Sequence, residues 1–160
     1  MKSLITSLAA LSLAVCTFTG TTFAHEFKVG DIEVDHPYAR AMLPGAKVGG
    51  GYLKLVNTGS SDDRLVSATA ERAGSVELHE MKIDNGVMIM RALENGVAIP
   101  AGATVELKPG SYHVMFMKVT QPFKEGEMVK AKLQFEKAGA VDVEFMVGPA
   151  AGNPHQEHGK

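Results

Sequence analysis

Short apolar runs at fairly even spacing, each closed by turn chemistry, constrain this chain more than anything else in it. GGGYLKLVN (49–57) stops at Asn57-Thr58-Gly59-Ser60, and RLVSATA, SVELHEM and VMIMRAL follow, the last two split by Asp84-Asn85-Gly86. ATVELKPG and SYHVMFMKV are divided by Pro109-Gly110, and MVKAKLQFEKAG and AVDVEFMVG by Ala138-Gly139. No stretch sustains a 3.6-residue apolar period, whereas alternation inside the runs fits strands. Asn-Gly supplies the two left-handed residues that a tight hairpin turn requires. The pattern predicts an all-β domain, a Greek-key β-sandwich or small barrel, with no internal repeat and no second domain. The 17 glycines are spread rather than periodic, as turns between strands would have them.

The two ends read differently. MKSLITSLAALSLAVCTFTGTTFA has a lone Lys2, an apolar stretch and a small-residue finish at Ala24, the pattern of a secretory signal peptide over residues 1–24. Cleavage after Ala24 is expected, with residues 25–148 as the folded domain. The apolar stretch is too short for a stable membrane anchor, and nothing later is apolar enough to span a bilayer. From residue 149 the sequence turns to PAAGNPHQEHGK, and a disordered, histidine-containing tail is expected over 149–160.

The single cysteine, Cys16, lies inside the signal, preceded by Val15 where a lipoprotein box would have a small residue. The secreted chain would therefore hold no thiol. That excludes disulfides, thiolate nucleophiles, Cys-based zinc sites, iron–sulfur clusters and the blue-copper site, which needs a cysteine ligand. Loss of Lys2 leaves about 15 basic against 18 acidic residues, a formal charge near −3. The charges are scattered with no basic stripe, which argues against a nucleic-acid partner. A glycine-rich phosphate loop, a GxSxG elbow and an HExxH helix are all missing, and no pair of acids marks a catalytic site, so no enzyme is expected.

Histidine and methionine are distributed oddly. In an extended chain, side chains two apart share a face. His79 and Met81 share one face of SVELHEM, Met88 and Met90 one face of VMIMR, and His113, Met115 and Met117 one face of SYHVMFM, with Val114 and Phe116 turned toward the core. Any one of these is ordinary core filler or a hydrogen-bonded histidine. Three neighbouring strands that each offer such donors at period two point to a soft-metal site. Thioether sulfur binds zinc, magnesium and calcium poorly, while copper(I) accepts thioethers and imidazoles in low, irregular coordination. Imidazole binds only when neutral, so acid would weaken such a site. A neutral donor set leaves the bound cation's charge uncompensated, which favours a shallow surface site.

These residues resemble the PCu(A)C family of periplasmic copper(I) chaperones. The surrounding text is similar too: HPYARAMLPGAKVGGGYLKLVNTG, VELHEM, GVMIMR, IPAGATVELKPGSYHVMFM and QPFKEGEMV, over most of residues 30–147. The family pattern, a histidine, a methionine some ten residues on and a distant His-x-Met, falls on His79, Met90, His113 and Met115. The gap from Met90 to His113 holds 22 residues, one more than the family's spacing, and Met88 stays open as the alternative. The resemblance implies a cupredoxin-like β-sandwich that carries copper(I) in the periplasm. It also implies a copper-accepting partner, either the CuA centre in subunit II of cytochrome c oxidase or a Sco-type protein.

Met81, Met88 and Met117 are further candidates for contact with the metal. His25, expected as the new N-terminus, would offer copper(II) an imidazole and an amine together, and His155 with His158 in the tail would offer it two imidazoles. His36 precedes Pro37 and is expected to be extended and structural. The competing reading is a secreted β-sandwich interaction module whose methionines form a binding patch with no metal.

Overall fold

The computed structural model describes residues 26–151. The expected signal peptide, Cys16, His25, His155 and His158 lie outside the described residues.

Eleven strands account for the secondary structure of the described residues: β1 (Glu26–Val29), β2 (Ile32–Arg40), β3 (Gly49–Asn57), β4 (Asp63–Ala70), β5 (Ser75–Asp84), β6 (Val87–Ala92), β7 (Val97–Ile99), β8 (Thr104–Leu107), β9 (Tyr112–Met117), β10 (Met128–Phe135) and β11 (Ala140–Gly148). No helix is present among them, and so none long and apolar enough to cross a membrane. The all-β, cupredoxin-like expectation is what the structure has.

Local chemistry explains the best-defined elements. β10 alternates without fault: Val129, Ala131, Leu133 and Phe135 are buried, with exposed residues between them. Asn85 (φ 49°) and Gly86 (φ 80°) join β5 to β6 with two left-handed residues, the backbone of a type I′ hairpin turn. Pro109-Gly110 also makes a turn, but no hairpin, because β8 and β9 pair in parallel through Leu107 and Tyr112.

β2 departs from the sequence reading. His36 was expected to be extended before Pro37, yet its φ is +49° and the side chain is exposed. The β2–β3 register shifts between Asp35 and Tyr38, so His36 sits in a bulge that re-aims the strand. Ile32 and Val34 join the core before the bulge and Ala39 after it, while Tyr38 pairs with Tyr52 outside the core cluster.

The strands form one ladder in the order β6-β5-β9-β8-β3-β2-β11-β10-β4-β7, with β1 on β2 and a second pairing of β9 with β3. The β2–β11 and β8–β9 pairs are parallel and the others antiparallel. The ladder curls over on itself. β4, near one end, packs against β5 near the other, and Asn57 Nδ2 at the end of β3 donates to the Ile99 carbonyl of β7 at 3.0 Å. Leu65, Leu78, Val114, Phe116, Leu133 and Phe145 thereby share a single core. Phe116 stands at its centre, edge-on to Phe123 (5.1 Å) and Phe145 (5.4 Å). Burial of a ring like this contributes about 1.5–3 kcal/mol, and it fixes β9 from behind.

Candidate metal centre

β5, β6 and β9 carry the donors, and their registers decide which donors meet. His79 stands directly opposite His113, with ring centroids 5.7 Å apart. One pleat along in one direction, Met81 faces Met90; one pleat along in the other, Met115 faces Glu77. Residues directly opposed in a ladder share a face, so His79, His113, Met81, Met90, Met115 and Glu77 all lie on the side of the sheet away from Val114 and Phe116. Of the remaining methionines, Met88 faces Ile83 and Met117 faces Ser75, each a further pleat from the histidine pair.

Sequence reasoning put His79, Met90, His113 and Met115 together, and the structure places them around one histidine pair. It also places Met81 directly opposite Met90, one pleat from His79. Met88 lies one pleat farther from the histidine pair than Met90 does. The face is also less shallow than expected: His113 is 4 % exposed and the His79 side chain 14 %, against 46 % for Met90 and 63 % for Met88. One buried and one half-buried imidazole are thus flanked by a thioether open to solvent.

Hydrogen bonds fix how the imidazoles face. His113 Nδ1 lies 3.0 Å from the Ser111 carbonyl oxygen, and His79 Nε2 lies 2.8 Å from Glu77 Oε2. A carbonyl and a carboxylate only accept, so each of those nitrogens carries the ring proton. The lone pairs of the neutral rings then sit on His113 Nε2 and His79 Nδ1. Both atoms are buried without a hydrogen-bond partner. An unpartnered buried acceptor is costly and calls for an explanation. Two such atoms on facing histidines, each ring anchored through its other nitrogen, is the arrangement in which imidazoles bind metal. Methionines at both ends of the pair add soft, neutral donors, so the residues present suit copper(I). Among the described residues no three His, Cys, Asp or Glu side chains converge on one point, so a harder site of that kind is not offered elsewhere.

Glu77 and the Ser111 carbonyl were missed in the sequence. Glu77 was detectable, because two residues before His79 on a strand is the same face. Ser111 acts through its backbone and leaves no signal. Arg40 Nε is a third buried atom without a partner, and its guanidinium lies over the Tyr52 ring at 5.5 Å. A cleft of about 620 Å³ lined by Phe27, Ala70, Ala131 and Val143 holds none of the histidine or methionine donors.

Residues 32–147 match the family described as "Putative lipoprotein LpqE-like". A curated relative in Leifsonia xyli subsp. xyli, "Putative lipoprotein Lxx21020", is 32% identical over 121 residues, 76% of this chain and 72% of that protein. A solved structure described as the copper-bound PCuAC domain from PmoF2 superposes with a TM-score of 0.68 at 28% identity, covering 78% of this chain and 98% of that one. The solution structure of CuI-DR1885 from Deinococcus radiodurans does so with a TM-score of 0.60 at 26% identity, covering 78% and 81%.

Proposed function

The chain belongs to the LpqE-like family, of PCu(A)C type, and on that footing we propose that it is a copper(I) carrier acting outside the cytoplasm, in the periplasm. Its ligands are His79 through Nδ1, His113 through Nε2, and the thioethers of Met90 and Met115. The observation that carries the proposal is the pair of buried, unpartnered nitrogens on facing histidines whose other nitrogens are already bonded. Copper is cargo here. The neutral donors hold it without a thiolate, and the exposed Met90 gives an acceptor a point of approach. On this reading Met81, opposite Met90, and Met88, one pleat beyond it, make transient contact with copper as it leaves at that end, while Met117 lies past Met115 at the other end of the pair.

The acceptor is a copper-poor protein of the same compartment, with the CuA site of cytochrome c oxidase subunit II or a Sco-type protein as the partners that the family resemblance suggests. His25 and the His155–His158 pair belong to the same proposal as weaker copper(II) sites. The competing reading, an interaction module with no metal, has one observation in its favour. The β5–β6 hairpin exposes Ile83, Val87 and Met88.

Anaerobic competition for copper(I) against a chromophoric chelator decides between them. One-to-one binding that a His113→Ala/Met115→Ala variant loses is expected. Binding that survives in the variant would move the site to His25 or the tail, and no binding in either protein would leave the interaction module.

A further inference from the structure

The two histidines are not secured in the same way. His113 donates to a main-chain carbonyl, which no change of side chain removes. His79 donates to a side-chain carboxylate, Glu77 Oε2, at 2.8 Å. We propose that Glu77 is a positioning residue for the cargo: it holds the His79 proton on Nε2, so that Nδ1 is the atom presented to copper(I), and its charge offsets that of the bound cation. The proposal rests on the ligand reading above.

The placement of Glu77 supports both roles. It precedes His79 by one pleat on β5 and stands opposite Met115 on β9, so it adjoins two of the donors. A neutral imidazole without a fixed partner exchanges its proton between the two nitrogens. If Nδ1 carried the proton, the lone pair would move to Nε2, on the far side of the ring from the buried position that is now bare. The ligand set could not close without turning the ring, and His79 is packed against His113. Glu80, the next acid along β5, is already held by Arg91 at 2.7 Å, whereas the Glu77 carboxylate is turned to the histidine. Two imidazoles and two thioethers carry no charge, so copper(I) bound to them alone would be a half-buried, uncompensated cation. A carboxylate bonded to the back of a ligating imidazole supplies the missing charge and makes the ring a stronger donor. At 44 % exposure the Glu77 side chain is open enough to be changed without disturbing the core.

The test uses the full protein with Glu77→Ala, Glu77→Gln and, as a control, His79→Ala. Two quantities are read: the His79 tautomer in the metal-free protein, by long-range ¹H–¹⁵N NMR, and copper(I) affinity by chelator competition. The parent is expected to show a single Nε2–H tautomer. Glu77→Ala is expected to mix the tautomers and weaken copper(I) binding by roughly 10–100-fold, the usual effect of removing such a partner. Glu77→Gln, whose amide oxygen still accepts, should keep the tautomer and weaken binding less, and a merely structural role for Glu77 would not produce that split. An unchanged tautomer with unchanged affinity in Glu77→Ala, while His79→Ala loses binding, overturns the proposal and leaves the ligand reading intact. Unchanged affinity in His79→Ala overturns the ligand reading, and this proposal with it.

Discussion

Gly51 tests how firmly the core holds the strand that carries His113 and Met115. It pairs with Val114, between those two residues, and a β-carbon at position 51 would lie 2.7 Å from Phe116 Cε2 and 3.1 Å from Phe145 Cε1. Real β-carbons are not found that close, so a ring must move. Phe116 has nowhere to go: it is fully buried, near-perpendicular to Phe123 at 84° and to Phe145 at 90°. Forcing one extra methyl into such a core costs about 1–3 kcal/mol. Against this, alanine restricts the unfolded chain and returns about 0.4–1 kcal/mol. Gly51→Ala should therefore destabilise by roughly 1–2 kcal/mol, which for a domain of this size lowers Tm by about 3–10 °C. Calorimetry or thermal circular dichroism reads the shift, and urea melts should give a lower midpoint with an unchanged slope. Adding Phe116→Leu, which makes room, should recover part of the loss, so that the two changes are not additive. A Gly51→Ala protein as stable as the parent would show that the rings can yield, and would refute the locked-core account.

Two further outcomes follow from the geometry. Burial pushes the Asp63 carboxyl up, but backbone N–H groups of Lys137, Arg64 and Ala138 outweigh it and hold the group below its ordinary value of 3.8. A depressed carboxylate contributes stability that is present above the unfolded value and is lost as pH falls through the folded one. Asp63→Asn should thus cost about 1–3 kcal/mol at pH 7, since its NH₂ faces donors, and should flatten the fall of Tm below about pH 4; parallel Tm–pH profiles for the two proteins would contradict this. Met90 lies one pleat from the histidine pair and Met88 two, so Met90→Leu should weaken copper(I) binding several-fold more than Met88→Leu, and the reverse order in chelator competition would reassign the thioether ligand.

What could be read from the sequence was whatever depends on near neighbours in the chain. Asn85-Gly86 announced its hairpin, β10 its alternation, and SYHVMFMK the division between a donor face and a core face. Facing partners were not legible. That His79 meets His113 is decided by the β5–β9 register, between segments separated by β6, β7 and β8, and period-two alternation gives the face of a residue without giving its opposite. β2 stayed hidden because the bulge at His36 breaks its alternation and Pro37 argues against a strand. The role of Glu77 is hidden for another reason: its partner is not a second acid but an imidazole on its own strand.

The parallel ladder of Tyr38–Arg40 with Met146–Gly148 joins a strand near the start of the domain to the last one in it. Closing so long a loop has to precede the contacts that reward it, and all-β domains dominated by such pairings fold in milliseconds to seconds rather than microseconds. A chain that emerges N-terminus first cannot complete the second edge of β2 until β11 is available. By then β5, β6 and β9 have all been made, with their methionines and histidines in the unfolded chain and open to oxidants and to metal alike. The edge of β2 that β11 covers thus stays open until the last strand of the domain has been made.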